Sequence, residues 1–143
     1  MDSSAILFPA IAMFMLTASI VAYTGGSRVA AIRRRDVSIR YYRLYNEGEQ
    51  TPRLQVLGRH MQNHFEMPPL FYIAVIFLYV TGSVTPLAVV LAWLYFGSRC
   101  VHSFIHLGSN NVTHRFFAFA LSGLILVGIW ILLLLSVAAT EVQ

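Results

Sequence analysis

The sequence has no lysine and few charged side chains of any kind. All ten basic residues are arginines, six residues are acidic, and charged residues make up 11% of the 143-residue chain. A water-soluble domain usually contains about 25% charged residues. Because 57% of the residues are hydrophobic, a water-soluble fold would have to expose large apolar surfaces. The composition therefore argues against a soluble enzyme and predicts an integral membrane protein.

Cysteine is almost absent too, since Cys100 is the only one. A single cysteine excludes a disulfide within the chain and a zinc site built from several thiolates. Cys100 lies inside an apolar segment, where a lone cysteine usually packs as a small hydrophobic residue. We therefore assign it no chemical role.

Long apolar runs dominate the rest of the sequence. Four of them reach the roughly 20 residues that a helix needs to cross a bilayer, namely residues 5–23, 58–80, 86–107 and 116–139. Short turns separate the later runs, and residues 33–53 form the one sizeable polar connection. We predict an all-α integral membrane protein in which residues 1–143 form a single domain, a bundle of four transmembrane helices.

The arginines are distributed unequally between the two sides of this predicted bundle. Every arginine lies in or near the first and third connections, whereas both termini and the second connection, 81–86, have none. Positive residues favour the cytoplasmic side, so we predict that both termini lie outside and that residues 33–53 are cytoplasmic. The net charge of +4 then reflects arginines at an anionic lipid surface, and it predicts no nucleic-acid partner. Arginine-only basic usage in a compact chain favours a bacterial inner membrane.

The stretch "RHMQNHFEMPP", residues 59–69, places polar side chains at the start of an apolar run. Arg59, Asn63 and Glu66 follow helical spacing and share one face. A face of the third segment and the start of the fourth carry further polar residues, which are Arg99, His102, His106 and Arg115. Ionisable groups at membrane depth normally face the bundle interior or a water-filled cleft. Several guanidinium groups beside one carboxylate predict a site for an anionic ligand, because the guanidinium fork matches a carboxylate.

These motifs resemble those of the MAPEG family, the membrane-associated proteins in eicosanoid and glutathione metabolism. "RHMQNHFEMPPLF" resembles the family's second-helix signature, "TGGSR" (24–28) matches the end of its first helix, and "RCVHSFIH" (99–106) resembles its third-helix motif. The resemblance implies a homotrimer that binds glutathione in clefts between subunits near the cytoplasmic face. By position, the residues that it implies for glutathione binding are Arg28, Arg59, Asn63, Glu66, Arg99, His102 and Arg115.

The resemblance also implies a reaction. Arg115 falls where the family has its catalytic arginine and would stabilise the glutathione thiolate. The thiolate would then attack a hydrophobic small molecule, either an electrophile or a lipid peroxide, delivered from the membrane. His106 stands where many members have a tyrosine, and it is the second catalytic candidate. Phe116 stands where the prostaglandin-synthase branch often has serine, so eicosanoid synthase activity is not predicted.

Two other functions remain open. The first is a non-catalytic membrane protein of the same architecture, because a fold does not fix a function. The second follows from two His-x-x-x-His pairs, His60 with His64 and His102 with His106, since such pairs can ligate a metal ion or a haem in a helical bundle. His60 and His64 are offset from the face that carries Arg59, so our predicted glutathione site contains no metal.

Overall fold

The computed structural model describes residues 2–45 and 49–140, and that part of the chain is helical without a β-strand. A 3-10 turn, Ser3–Ile6, leads into α1; the five α-helices are α1 (Leu7–Arg33), α2 (Tyr41–Leu44), α3 (Pro52–Val80), α4 (Pro86–Leu107) and α5 (Val112–Thr140). The predicted all-α fold is therefore confirmed. The predicted polar connection 33–53 contains α2, but its residues 46–48 lie outside the described residues, as do residues 1 and 141–143.

Three of the described helical segments are long and apolar enough to cross a membrane, namely Ser3–Arg33, Pro86–Leu107 and Val112–Ala139. Helix α3 is not one of them, although it has 29 residues, because its first half carries the polar stretch that begins at Arg59. That α3 crosses the membrane stays a prediction. Helix α4 has the bounds that its apolar run predicts, whereas α1 and α3 extend into the polar connection.

Helices α3 and α4 begin in the same way, which explains where they start. Thr51 and Thr85 cap the two helices, and their hydroxyls accept hydrogen bonds from the Leu54 and Ala88 amides at 3.4 and 3.1 Å. A proline follows each threonine, at a position where the missing N–H would have had no helical partner. Thr51 and Pro52 lie in the polar flank of α3, outside its apolar run.

In one half of the bundle an apolar core packs α1, α3, α4 and α5 together. It contains Ile6 before α1, Leu78 near the end of α3, Ala88 at the start of α4 and Leu133 near the end of α5. The rings of Phe71 and Tyr95 stack at 4.5 Å within the same core. The residues that meet there show that successive long helices run in opposite directions.

The other end of the bundle carries the arginines, and we call it the arginine-bearing end. Here α1 and α4 end while α3 and α5 begin. Arg53 of α3 ties three helices together, because one guanidinium nitrogen donates to the Leu107 carbonyl at 2.7 Å and the other to the Tyr23 hydroxyl at 3.0 Å. The predicted grouping of the first and third connections at one end agrees with these contacts.

Removal of a helix cap tests this account of the helix starts. We expect Thr85→Ala to lower the free energy of unfolding by about 1 kcal/mol, because the Ala88 amide loses its acceptor. Thr85→Ser keeps the hydroxyl and should stay within a few tenths of a kcal/mol of the parent. The measurement is unfolding by SDS in mixed micelles. Equal losses in both variants would show that the threonine methyl group, rather than the cap, stabilises α4.

Candidate functional site

A polar cleft of about 300 Å³ opens beside α3 at the arginine-bearing half of the bundle. Its lining residues are Arg59, Gln62, Asn63, Glu66, His106 and Arg115. Five of these six are residues that the sequence predicted for the site, and they come from α3, α4 and α5. The helical spacing of Arg59, Asn63 and Glu66 thus places all three against one cleft.

Gln62 is a lining residue that sequence reasoning missed. Its side-chain amide donates a hydrogen bond to the Glu66 carboxylate at 2.9 Å, one helical turn away. The signal was present in the sequence, because Gln62 lies three residues after Arg59 and four before Glu66. The contact fixes one carboxylate oxygen and leaves the other oxygen for a ligand.

Arg115 is held in place at the start of α5 from two directions. Its Nη1 donates to the side-chain oxygen of Asn110 at 2.8 Å and lies 3.5 Å from Nε2 of His106. Nδ1 of His102 donates to the Arg115 carbonyl at 3.2 Å. Asn110 adopts a left-handed backbone conformation with a φ of 49°, which asparagine tolerates well. Sequence reasoning missed Asn110, because nothing in a turn sequence shows which side chain the turn will meet.

A second cleft, of about 240 Å³, adjoins the first, and we call it the phenylalanine cleft. It is lined by Asn63, His102, Val112, Arg115, Phe116 and Phe119. Asn63 and Arg115 line both clefts. Arg115 therefore stands at a boundary between a polar space and an aromatic one.

Arg99 lines neither cleft, and its side chain is completely buried. Its Nη2 donates to the Asn63 carbonyl at 3.2 Å, and its guanidinium carbon lies 5.8 Å from the centre of the Phe119 ring. The spacing of Arg99 with His102 and His106 predicted a shared face correctly, but that face looks into the bundle. From this position Arg99 supports Asn63, and its predicted contact with the ligand stays a prediction.

Arg28 also lies apart from the two clefts. Its guanidinium carbon sits 5.6 Å from the centre of the Tyr42 ring. A Cβ atom at position 58 would be 3.7 Å from its Nη2, an ordinary van der Waals distance, so this arginine lies against α3 beside Arg59. Its predicted contact with glutathione stays a prediction.

Four histidines meet inside the bundle. The rings of both pairs that the sequence suggested are in contact, His60 with His64 at 4.9 Å and His102 with His106 at 5.5 Å, centre to centre. His64 is hydrogen-bonded to Thr17 of α1 and to Ser103 of α4, at 3.2 Å in both cases. The remaining three are His60, His102 and His106, whose ligand atoms all lie within 4.8 Å of one another. The His60 ring is 5.7 Å from that of His102 and 4.7 Å from that of His106, centre to centre. A haem could not fit between rings that are already in contact.

Comparison with known proteins supports the resemblance that the motifs suggested. The model of the MAPEG family matches residues 6–135, a range that includes all of α1, α3 and α4 and most of α5. The comparison with curated proteins finds no match. Because the family match covers nearly the whole chain and three helices could cross a membrane, the chain is an integral membrane protein that belongs to the MAPEG family.

Proposed function

We propose that the protein is a glutathione-dependent membrane enzyme of the transferase or peroxidase type. It would ionise the thiol of glutathione and direct the thiolate at a hydrophobic electrophile or a lipid peroxide. The observation that carries this proposal is the polar cleft, in which two arginines and one glutamate, Arg59, Arg115 and Glu66, line the same space. Membership of a family linked to glutathione and eicosanoid metabolism agrees with it.

The charges of the cleft complement those of glutathione. At neutral pH glutathione carries two carboxylates and one ammonium group, and ionisation of its thiol adds a further negative charge. Glu66 can accept the ammonium group, while Arg59 can bind a carboxylate through a bidentate pair. Arg115 is then the guanidinium group available for the thiolate.

Arg115 is suited to that role because it is fixed before a ligand binds. The 2.8 Å bond to Asn110 and the contact with His106 hold one edge of the guanidinium, and its remaining N–H groups can point into the clefts. A positive charge that is held near a thiol favours its ionised form. We therefore place Arg115 as the catalytic residue and His106 as the residue that positions it.

The phenylalanine cleft offers a site for the second substrate. Its aromatic side chains, Phe116 and Phe119, lie beside the same arginine, so a hydrophobic molecule there would stand next to the thiolate. In conjugation the sulfur forms a bond to carbon and expels a leaving group. With a peroxide the sulfur attacks oxygen, an alcohol leaves, and a second glutathione converts the sulfenic acid to the disulfide and water.

The proposal includes assembly as a homotrimer, which the family resemblance implies. Arg59, Gln62 and Glu66 are exposed on a single subunit. The predicted membrane crossing of α3 would put them at a depth where lipid cannot satisfy charged groups. A neighbouring subunit would cover this face and complete the cleft. We expect native mass spectrometry in detergent to show three copies of the chain, and a stable monomer or dimer would contradict the assembly.

Replacement of Arg115 is the most direct test of the mechanism. We expect Arg115→Ala to raise the pKa of the bound thiol by at least one unit, which corresponds to about 1.4 kcal/mol and lowers the ratio of thiolate to thiol about tenfold. The first measurement is the thiolate absorbance at about 240 nm with saturating glutathione. The second, made in parallel, is the rate of conjugation of an electrophilic aromatic chloride.

Two matched variants give this test its controls. Glu66→Gln should weaken glutathione binding while thiolate formation recovers at saturation, because the carboxylate holds the ammonium group and not the sulfur. Arg40→Ala removes an exposed arginine of the polar connection and should change neither quantity. If Arg115→Ala ionises glutathione as fully as the parent, the catalytic assignment is wrong. If the parent binds no glutathione, the alternative of a non-catalytic protein is favoured.

The proposal also gives the membrane orientation, with residues 33–53 in the cytoplasm of a bacterial cell. Cysteine labelling in a Cys100→Ser background tests it. Ser38 is exposed in the connection after α1, and Ser83 lies in the turn between α3 and α4 at the opposite end. An impermeant maleimide should label Ser38→Cys only in inside-out vesicles and Ser83→Cys only in right-side-out vesicles. The reverse pattern would overturn the orientation.

A further inference from the structure

We propose that His60, His102 and His106 form a binding site for a transition metal ion of the Zn²⁺ class. The three imidazoles come from α3 and α4, and their ligand atoms all lie within 4.8 Å of one another. All three side chains are buried, with exposed fractions of 0, 1 and 1%. Imidazole is a preferred ligand of zinc and copper, and three protein ligands with a fourth position left for water is a common zinc arrangement.

The cluster contains ring nitrogens that nothing else satisfies. Both nitrogens of His60, Nε2 of His102 and Nδ1 of His106 have no hydrogen-bond partner among the described residues. Buried polar atoms are nearly always paired, and each exception requires an explanation. A neutral imidazole keeps one nitrogen as a lone-pair donor, so an ion bound between the three rings would satisfy one such nitrogen on each.

The hydrogen bond on the outer side of His102 sets the tautomer that a metal requires. Nδ1 of His102 donates to the backbone carbonyl of Arg115 at 3.2 Å, which leaves its unpaired Nε2 without a proton. Metal-bound histidines usually donate their other N–H to a carbonyl or a carboxylate in this manner. His64 has a different environment, since both of its nitrogens contact hydroxyl groups, and it therefore stays outside the proposed set.

The distances require only small movements. For three atoms within 4.8 Å of one another, a point exists that is no more than about 2.8 Å from each, whereas zinc–nitrogen bonds are about 2.0–2.1 Å long. Side-chain rotations that move each ligand nitrogen by about 1 Å or less would bring the three atoms to that bond length. The three rings belong to rigid helices that already hold them in contact.

Two neighbouring arginines, Arg99 and Arg115, would be affected by a metal ion at this site or would affect its binding. Arg99 is buried nearby, and its Nε and Nη1 have no hydrogen-bond partner among the described residues. Its charge therefore lowers the affinity for a cation and favours an anion, such as hydroxide, at the fourth position. Coordination through Nδ1 of His106 would also place the proton on Nε2, which would end the 3.5 Å contact with Arg115. Asn110 would still hold Arg115 at 2.8 Å.

The test uses the full chain in detergent, without a polyhistidine tag and after treatment with a chelator. We expect calorimetric titration with Zn²⁺ alone to show one ion per chain. Titration with Co²⁺ should produce a visible ligand-field band typical of nitrogen coordination. His60→Phe and His102→Phe keep an aromatic ring in the core and should each weaken Zn²⁺ binding at least tenfold and abolish the band.

His114→Gln provides the control, because His114 is exposed at the start of α5 and is not one of the three clustered histidines. This variant should bind Zn²⁺ as the parent does. Failure of the parent to bind one Zn²⁺ or Co²⁺ ion per chain would overturn the site without reference to any variant. An equal loss in His114→Gln would show binding at the surface and would overturn it as well. Neither readout involves glutathione, so the outcome is independent of the proposed enzyme activity.

Discussion

Polar side chains within a membrane bundle need partners from the protein, because hydrocarbon offers them no hydrogen bonds. For α3, whose membrane crossing is a prediction, the polar first half would depend on this rule most directly. His64 takes hydroxyl partners from α1 and α4, and the Asn63 carbonyl takes the guanidinium of Arg99. These contacts fix the rotation of α3 about its axis, and that rotation turns Arg59 and Glu66 to the cleft. The contacts of His64 and Asn63 inside the bundle and the position of Arg59 and Glu66 at the polar cleft thus follow from the same rotation of α3.

The sequence predicted where the helices lie better than it predicted which side chains meet between them. The bounds of α4 follow from an apolar run that starts at a Thr-Pro signal and ends before a glycine. Helices α1 and α3 run beyond their apolar segments. Backbone hydrogen bonding continues into the polar connection, where the Thr51 cap begins α3. Hydropathy gives no signal for a helix in such polar sequence. The membrane crossing of α3 stays a prediction, since its polar half lowers its hydropathy below that of the other long helices.

At the candidate site, helical spacing predicted which residues share a face of one helix, but not which residues of the other helices that face contacts. Arg59, Asn63 and Glu66 were grouped correctly, because their relation is internal to one helix. Arg99 fits the same kind of pattern and yet points into the core. The association of His60 with His102 and His106 could not be predicted for the same reason. It depends on the register between α3 and α4, which is decided by the side chains at the interface between the two helices.

Apolar side chains pack in both halves of the bundle, but hydrogen bonds between helices supplement them at the arginine-bearing end, where Ala31, Leu54 and Leu57 form a small apolar cluster. Arg53 joins α1, α3 and α4 at one end, and directional hydrogen bonds continue from there to the middle. At the other end, apolar residues such as Ile6, Leu78 and Ile129 form the contacts. Between membrane helices such contacts have little hydrophobic driving force, because acyl chains can replace them. Hydrogen bonds between helices must break before the arginine-bearing half can open, so we expect local separation of the helices to cost less at the other end.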